Sequence, residues 1–162
     1  MAAMYMNVPV EDILPDFPHG PLAKYRRMAS FDWKKMKLFI EGEDRIKFTH
    51  WVFDTLSKDP VFTKQLTTPD LMDQKEINTK RLIRVMDFNF ADPNDIEKSL
   101  LLADCLYTYD MELGAKFNLH MNVFRTTVSM MGSARHADIV AKAGTFEIFG
   151  CFALTEMAHG SN

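Results

Sequence analysis

Glu156 and His159 lie at i, i+3 near the end of a 162-residue chain. That is the spacing of a carboxylate-bridged di-iron ligand pair. Such a centre needs two of these pairs and two further glutamates on facing helices. The sequence holds no second pair, and Gly160 follows His159 at once. His120 falls on an apolar helical stripe, where an imidazole is a ligand, a base, or a core residue with its ring nitrogens hydrogen-bonded. The third role is the one expected. Asp110 and Glu112 bring two carboxylates together, as general acid–base chemistry requires, but no neighbour supplies a substrate-binding group. Arg135, His136 and Asp138 form the charged opening of a short helix, an ordinary solvated cap. No dinucleotide fingerprint, P-loop or nucleophile elbow occurs.

Composition narrows the classes further. Hydrophobic residues make up 47% and charged residues 25% of the chain, and the net charge is −3. These are the values of a packed globular domain. They provide no basic footprint for nucleic acid and no polybasic membrane patch. The two cysteines, Cys105 and Cys151, are too few and too far apart for a disulfide framework or a zinc site. The opening MAAMYMNVPVEDILPDFP has neither the basic nor the apolar region of a secretory signal. No apolar run approaches the roughly 20 residues of a spanning helix. The expectation is a soluble, intracellular protein without a membrane partner. Ser161-Asn162 at the end is not a Ser-Lys-Leu peroxisomal address.

The elements that would position these residues are mainly α. Residues 1–29 read as an extended arm punctuated by Pro9, Pro15, Pro18, Gly20 and Pro21, with one short turn at Leu22, Tyr25 and Met28 docking on the body. Residues 30–144 read as a helical domain. Ser30 is the expected N-cap of FDWKKMKLFIE and Gly42 its stop. Phe48, Trp51, Val52, Thr55 and Leu56 make the next helical face. Asp59-Pro60 ends that helix and begins a turn. Thr68-Pro69 and Asp92-Pro93 open two further helices, with buried stripes at Leu82, Val85, Met86, Phe90 and at Leu102, Cys105, Leu106, Tyr109, Leu113. The clearest helix is AKFNLHMNVFRTTVSMM, with Phe117, His120, Met121, Phe124, Val128 and Met131 on one stripe. Ser133 caps a last helix closed by Gly144. The Met-rich faces are expected to be core rather than a partner-binding surface. From Thr145 the period changes to two. TFEIFGCFALTE then reads as a strand, apolar on both faces, that begins a β-domain of which residues 145–162 hold only the start. A lone strand cannot satisfy its own ladder. The chain is therefore expected to be the N-terminal piece of a longer protein.

EIFGCFALTEMAHGSN resembles the flavin-edge motif of the acyl-CoA oxidase and acyl-CoA dehydrogenase superfamily. MMGSARHADIVAKAGTFEIFG is similar to the helix and loop that feed this stretch in the same family, and FPHGPLAKYRRMASFDWKKM resembles the oxidase N-terminus. Dehydrogenases typically read Thr-Glu-Pro-x-Ala-Gly-Ser-Asp at this point. Here Met157 replaces that proline and His159-Gly160-Ser161-Asn162 ends the motif, which is similar to peroxisomal acyl-CoA oxidases, with FALTE and FPHGPL nearest the branched-chain (pristanoyl) type.

The resemblance implies an N-terminal helical bundle domain, a middle β-domain and a C-terminal helical domain. It also implies bound FAD, a fatty acyl-CoA substrate, a homodimer at full length and a peroxisomal location. In the family a glutamate removes the α-proton, a hydride passes from the β-carbon to flavin N5, and trans-2-enoyl-CoA results. Oxidases reoxidise the flavin with molecular oxygen and yield hydrogen peroxide. Dehydrogenases pass the electrons to an electron-transfer flavoprotein. Thr155 matches the threonine that hydrogen-bonds the flavin ring. Phe152 and Leu154 match positions near the ring or the thioester, and Ser161 matches a serine near the acyl-CoA. The catalytic glutamate falls outside this chain, so these 162 residues are expected to be inactive alone. The competing expectation is a stand-alone, non-catalytic helical module that binds acyl-CoA or a partner protein.

Overall fold

Aspartates cap four of the α-helices in the computed structural model, which describes residues 7–160. The chain divides into two compact units, residues 1–56 and 57–162.

The first unit holds α1 (Val10–Ile13), α2 (Ala23–Arg27), α3 (Trp33–Glu41) and all but the last two residues of α4 (Glu43–Lys58). Two helical stretches thus form inside the segment read as an extended arm. Val10, Ile13 and Leu14 are buried with Ile46, and Val8 and Trp33 pack against that cluster. The Phe17 ring lies 4.5 Å from that of Trp33, and the Arg26 guanidinium stands 4.3 Å over Phe17. Leu22, Tyr25 and Met28, expected to dock, are exposed instead. The N-cap of α3 is Asp32, two residues after Ser30. Its carboxylate accepts from the Lys34 and Lys35 N–H groups at 2.9 and 3.3 Å. A carboxylate there satisfies two orphan donors and faces the positive end of the helix dipole, which a serine hydroxyl does less well. Gly42 stops α3 at φ 78°, a conformation costly for any residue with a Cβ.

The second unit contains a 3₁₀ turn (Pro60–Phe62), α5 (Leu71–Asp87), α6 (Ile96–Tyr109), α7 (Met111–Asn118), a π-helical segment (Leu119–Arg125), α8 (Thr126–Met131), a 3₁₀ turn (Ala134–His136) and α9 (Ala137–Gly144). Asp70 caps α5 and Asp95 caps α6, respectively one and two residues beyond the X-Pro pair expected to open the helix. Asp110 is extended, ends α6 and caps α7 through the Glu112 and Leu113 N–H groups. Leu113, expected on the α6 stripe, therefore lies on α7, where it is fully buried. The core is Leu82, Val85, Phe90, Leu102, Cys105, Leu106, Leu113, Phe117, Met121 and Ala143. Each large side chain buried here contributes roughly 1.5–3 kcal/mol relative to exposure.

The π-helical segment departs from the expected α-helical stripe. Hydrogen bonds of the i→i+5 kind widen the turn. The buried row becomes Phe117, His120, Met121 and Arg125, while Phe124 and Val128 are half-buried and Met131 is exposed.

Asp59 caps the 3₁₀ turn through the Val61 N–H at 2.9 Å and accepts from Arg84 Nε at 2.8 Å. Burial pushes its carboxyl pKa up, but the Arg84 hydrogen bond, the Val61 N–H and the Arg84 charge outweigh this and hold it below the ordinary value. A carboxyl depressed in the folded state adds stability above its unfolded pKa, about 3.9. That stability is lost as pH falls through the lower folded value. Asp59→Asn is therefore expected to be less stable than the parent at pH 7, by a margin that narrows at pH 3. Urea unfolding at both pH values checks this; a gap of equal size at both would refute it.

The strand expected from Thr145 does not form among the described residues. Residues 145–148 are turn and bend, and 149–154 have no regular secondary structure. Among the described residues the only bridge is between Glu156 and His159. The period-two pattern is present, but no described segment pairs with it, and strand hydrogen bonds need a second strand.

Candidate functional site

His120 organises the end of the chain. It comes from the first turn of the π-helical segment and is 3% exposed. Gly150 N–H donates to its Nδ1 at 3.2 Å, and its Nε2 lies 2.9 Å from the Ala143 carbonyl. An Nδ1 that accepts leaves the proton on Nε2, which then donates to Ala143; the tautomer is assigned by these partners. The expected core histidine with satisfied nitrogens is what the structure contains. Rings surround it, with Phe146, Phe149 and Phe124 at 4.3, 5.6 and 5.9 Å between centroids. Phe146 takes φ 58°, which costs a bulky residue roughly 1–2 kcal/mol. Its ring contacts with His120, Phe117 and Phe149 oppose that strain. Gly150 approaches Phe124 so closely that a Cβ would lie 2.0 Å from its ring.

Beyond this clamp the chain is open. Phe152 and Leu154 are 42% and 74% exposed. Thr155 is exposed too, and no described residue hydrogen-bonds the Cys151–Thr155 backbone or the Thr155 hydroxyl. Ser161 and Asn162 lie outside the described residues. Glu156 and His159 exchange backbone hydrogen bonds at 2.9 and 3.1 Å, which closes a tight turn. Among the described residues no group of three or more His, Cys, Asp or Glu side chains could hold a metal. Nor is any described helix long and apolar enough to cross a membrane.

Asp110 and Glu112 are structural. Asn78 Nδ2 donates to Glu112 Oε2 at 2.9 Å and Asp110 Oδ1 at 3.3 Å, and Arg81 Nη1 donates to Asn78 Oδ1 at 3.2 Å. Arg81 also donates to the Val61 and Thr63 carbonyls, and the Tyr109 hydroxyl donates to the Phe62 carbonyl. The Lys116 hydrogen bond holds the Glu112 carboxyl below its ordinary pKa; burial opposes it and Asn78 assists. Arg135 is exposed and His136 half-buried, and His136 Nδ1 accepts the Ser133 N–H at 2.9 Å in a capping box. Sequence reading did not single out Asn78, Arg81 or Arg125, the buried polar residues that organise this unit. Polar residues inside otherwise regular apolar stripes are the one signal that marks them.

The clamp thus delivers an exposed Thr-Glu stretch from a helical unit, and in sequence the chain is similar to part of proteins named acyl-CoA oxidases. It is 43% identical over 155 residues to human peroxisomal acyl-coenzyme A oxidase 3, a match covering 93% of this chain and 22% of the human protein. An acyl-coenzyme A oxidase of Caenorhabditis elegans is 38% identical over 141 residues, 86% of this chain and 21% of that protein. A peroxisomal acyl-coenzyme A oxidase 3 of Arabidopsis thaliana is 24% identical over 150 residues, 82% of this chain and 22% of that protein. The chain spans about a fifth of the length of the curated relatives it matches. No family model matches the chain, and no solved structure matches it.

Proposed function

We propose that this chain is part of an FAD-dependent acyl-CoA oxidase acting in peroxisomal fatty acid β-oxidation, homodimeric at full length. The observation that carries the reading is the exposed CFALT segment. It presents unpaired backbone N–H groups and the Thr155 hydroxyl, in a chain whose relatives are named acyl-CoA oxidases. When bound, FAD would supply an acceptor for the hydride of the acyl β-carbon and a route for its electrons to molecular oxygen, the chemistry that turns fatty acyl-CoA and oxygen into trans-2-enoyl-CoA and hydrogen peroxide.

This chain's residues bind and orient. The Thr155 hydroxyl and N–H donate to the electron-rich edge of the flavin ring, where fixed donors stabilise added negative charge. Phe152 and Leu154 exclude water beside the ring and the thioester. Ser161 contacts the acyl-CoA. The base that takes the α-proton belongs to another part of the protein. Met157, where dehydrogenases carry proline, supports the oxidase over the dehydrogenase, and FALTE with FPHGPL supports a branched-chain substrate.

The test uses the full-length protein, captured with an antibody raised against this chain. Acyl-CoA is added without oxygen while flavin absorbance is followed, and air is then admitted. Bleaching, then recovery with hydrogen peroxide, is expected. Bleaching that persists in air and reverses only with an electron-transfer flavoprotein means a dehydrogenase. A colourless, unresponsive protein rejects the enzyme reading in favour of a non-catalytic helical module.

A further inference from the structure

We infer that His120 is a positioning residue that sets the register of the Phe152–Thr155 stretch, an inference that rests on the flavin-binding role proposed for that stretch. Among the described residues His120 is the side chain that hydrogen-bonds both the end of α9 and the start of the stretch. Its Nε2 meets the Ala143 carbonyl at 2.9 Å, and its Nδ1 accepts Gly150 N–H at 3.2 Å. Gly150 stands five residues before Thr155. The two bonds are not equivalent. The Ala143 carbonyl also accepts the Phe146 N–H at 3.2 Å. The Gly150 N–H has no second acceptor among the described residues. The imidazole is therefore the anchor of the last backbone donor before the chain becomes open.

Register matters because side chains alternate once such a stretch is extended against a partner. A slip of one residue exchanges the face of Phe152 and Leu154 with that of Ala153 and Thr155. Slip is opposed at the anchor from two sides. His120 is held among Phe146, Phe149 and Phe124. Gly150 lies so close to Phe124 that a residue with a Cβ in its place would have to displace the ring. A neighbouring residue cannot take over the bond without bringing a side chain into that ring.

Two substitutions separate the bonds. His120→Asn puts a carbonyl oxygen where Nδ1 stood and keeps an acceptor for Gly150. His120→Gln puts its polar end where Nε2 stood and keeps a partner only for Ala143. Both are made in the full-length protein. Flavin absorbance, kcat, KM for acyl-CoA and melting temperature are compared with the parent. A misplacement on the order of 1 Å at a reacting centre lowers rate about 100-fold. His120→Gln is expected to lose about that in kcat and to shift the flavin absorbance, while His120→Asn stays within about tenfold of the parent. Variants that melt earlier but keep the parent's kcat and flavin spectrum would make the role merely structural and overturn the inference. Equal losses in both variants would overturn it as well. A colourless parent protein removes the functional reading and this inference together. A yellow, active parent with an unchanged His120→Gln variant removes this inference alone.

Discussion

Arg125→Ala is expected to lower the folding stability of the chain by about 3 kcal/mol or more, which makes it one of the two most damaging single changes here. Arg125 ends the π-helical segment and is 8% exposed. Its guanidinium donates to the Pro93 carbonyl at 2.6 Å, to Asn94 Oδ1 at 2.8 Å and to the Val140 carbonyl at 3.3 Å. It therefore ties the loop before α6 to α9. Burial draws its pKa down from the ordinary value and the Asp92 charge opposes this, but a guanidinium remains charged. Alanine removes the donors and leaves carbonyls facing a space that only polar atoms can use. Arg125→Lys should recover part of the loss, because one ammonium cannot reproduce a planar fork on three acceptors. Urea unfolding measures both variants. A loss under about 1 kcal/mol for alanine would mean that water replaces the guanidinium with little penalty.

The second large effect is expected at Asn78. Its side chain is completely buried and its amide faces Asp110 and Glu112. Asn78→Asp keeps the shape and replaces a donor with a third carboxylate. Crowding a buried carboxylate against two others, with Arg81 the nearest cation, should destabilise the chain by about 3 kcal/mol or more at pH 7. The introduced carboxyl has its pKa raised by its neighbours. Its penalty is therefore smallest below the unfolded pKa, about 3.9, and grows as pH rises towards the folded value. Parent and variant should thus approach each other in stability near pH 4. Unfolding curves across that range decide the matter, and a penalty independent of pH would show that packing rather than charge governs the site.

The sequence disclosed breaks and stripes better than starts. Gly42 and Asp59-Pro60 were legible because a positive φ and a fixed proline φ restrict the backbone whatever surrounds them. Ser30, Thr68-Pro69 and Asp92-Pro93 marked the right neighbourhoods. The caps fell on Asp32, Asp70 and Asp95 because a carboxylate on the first N–H groups outweighs the local proline signal. The α6 stripe held through Leu106, and Asp110 then broke it. The π-helical turn was invisible, since a stripe at 117, 120 and 121 suits both helix types until Arg125 replaces Phe124 in the buried row. His120 was legible as a core residue from its apolar neighbours. Its partner at Gly150 was not, because a backbone N–H leaves no trace in composition. The strand failed for a different reason. Alternation encodes which way side chains point, and only a neighbouring strand can satisfy the backbone.

The open CFALT stretch also has a colloidal consequence. Phe149, Phe152 and Leu154 are exposed beside backbone groups that no described residue satisfies. Such a segment is a template for edge-to-edge pairing with an identical one. Glu147 and Glu156 flank it, and like charges brought together across an antiparallel pair repel. These two glutamates act as gatekeepers against self-association, and salt weakens them because exposed charges are screened within about 8 Å at physiological ionic strength. Self-association of this chain is therefore expected to rise with ionic strength, which light scattering across a salt series would check.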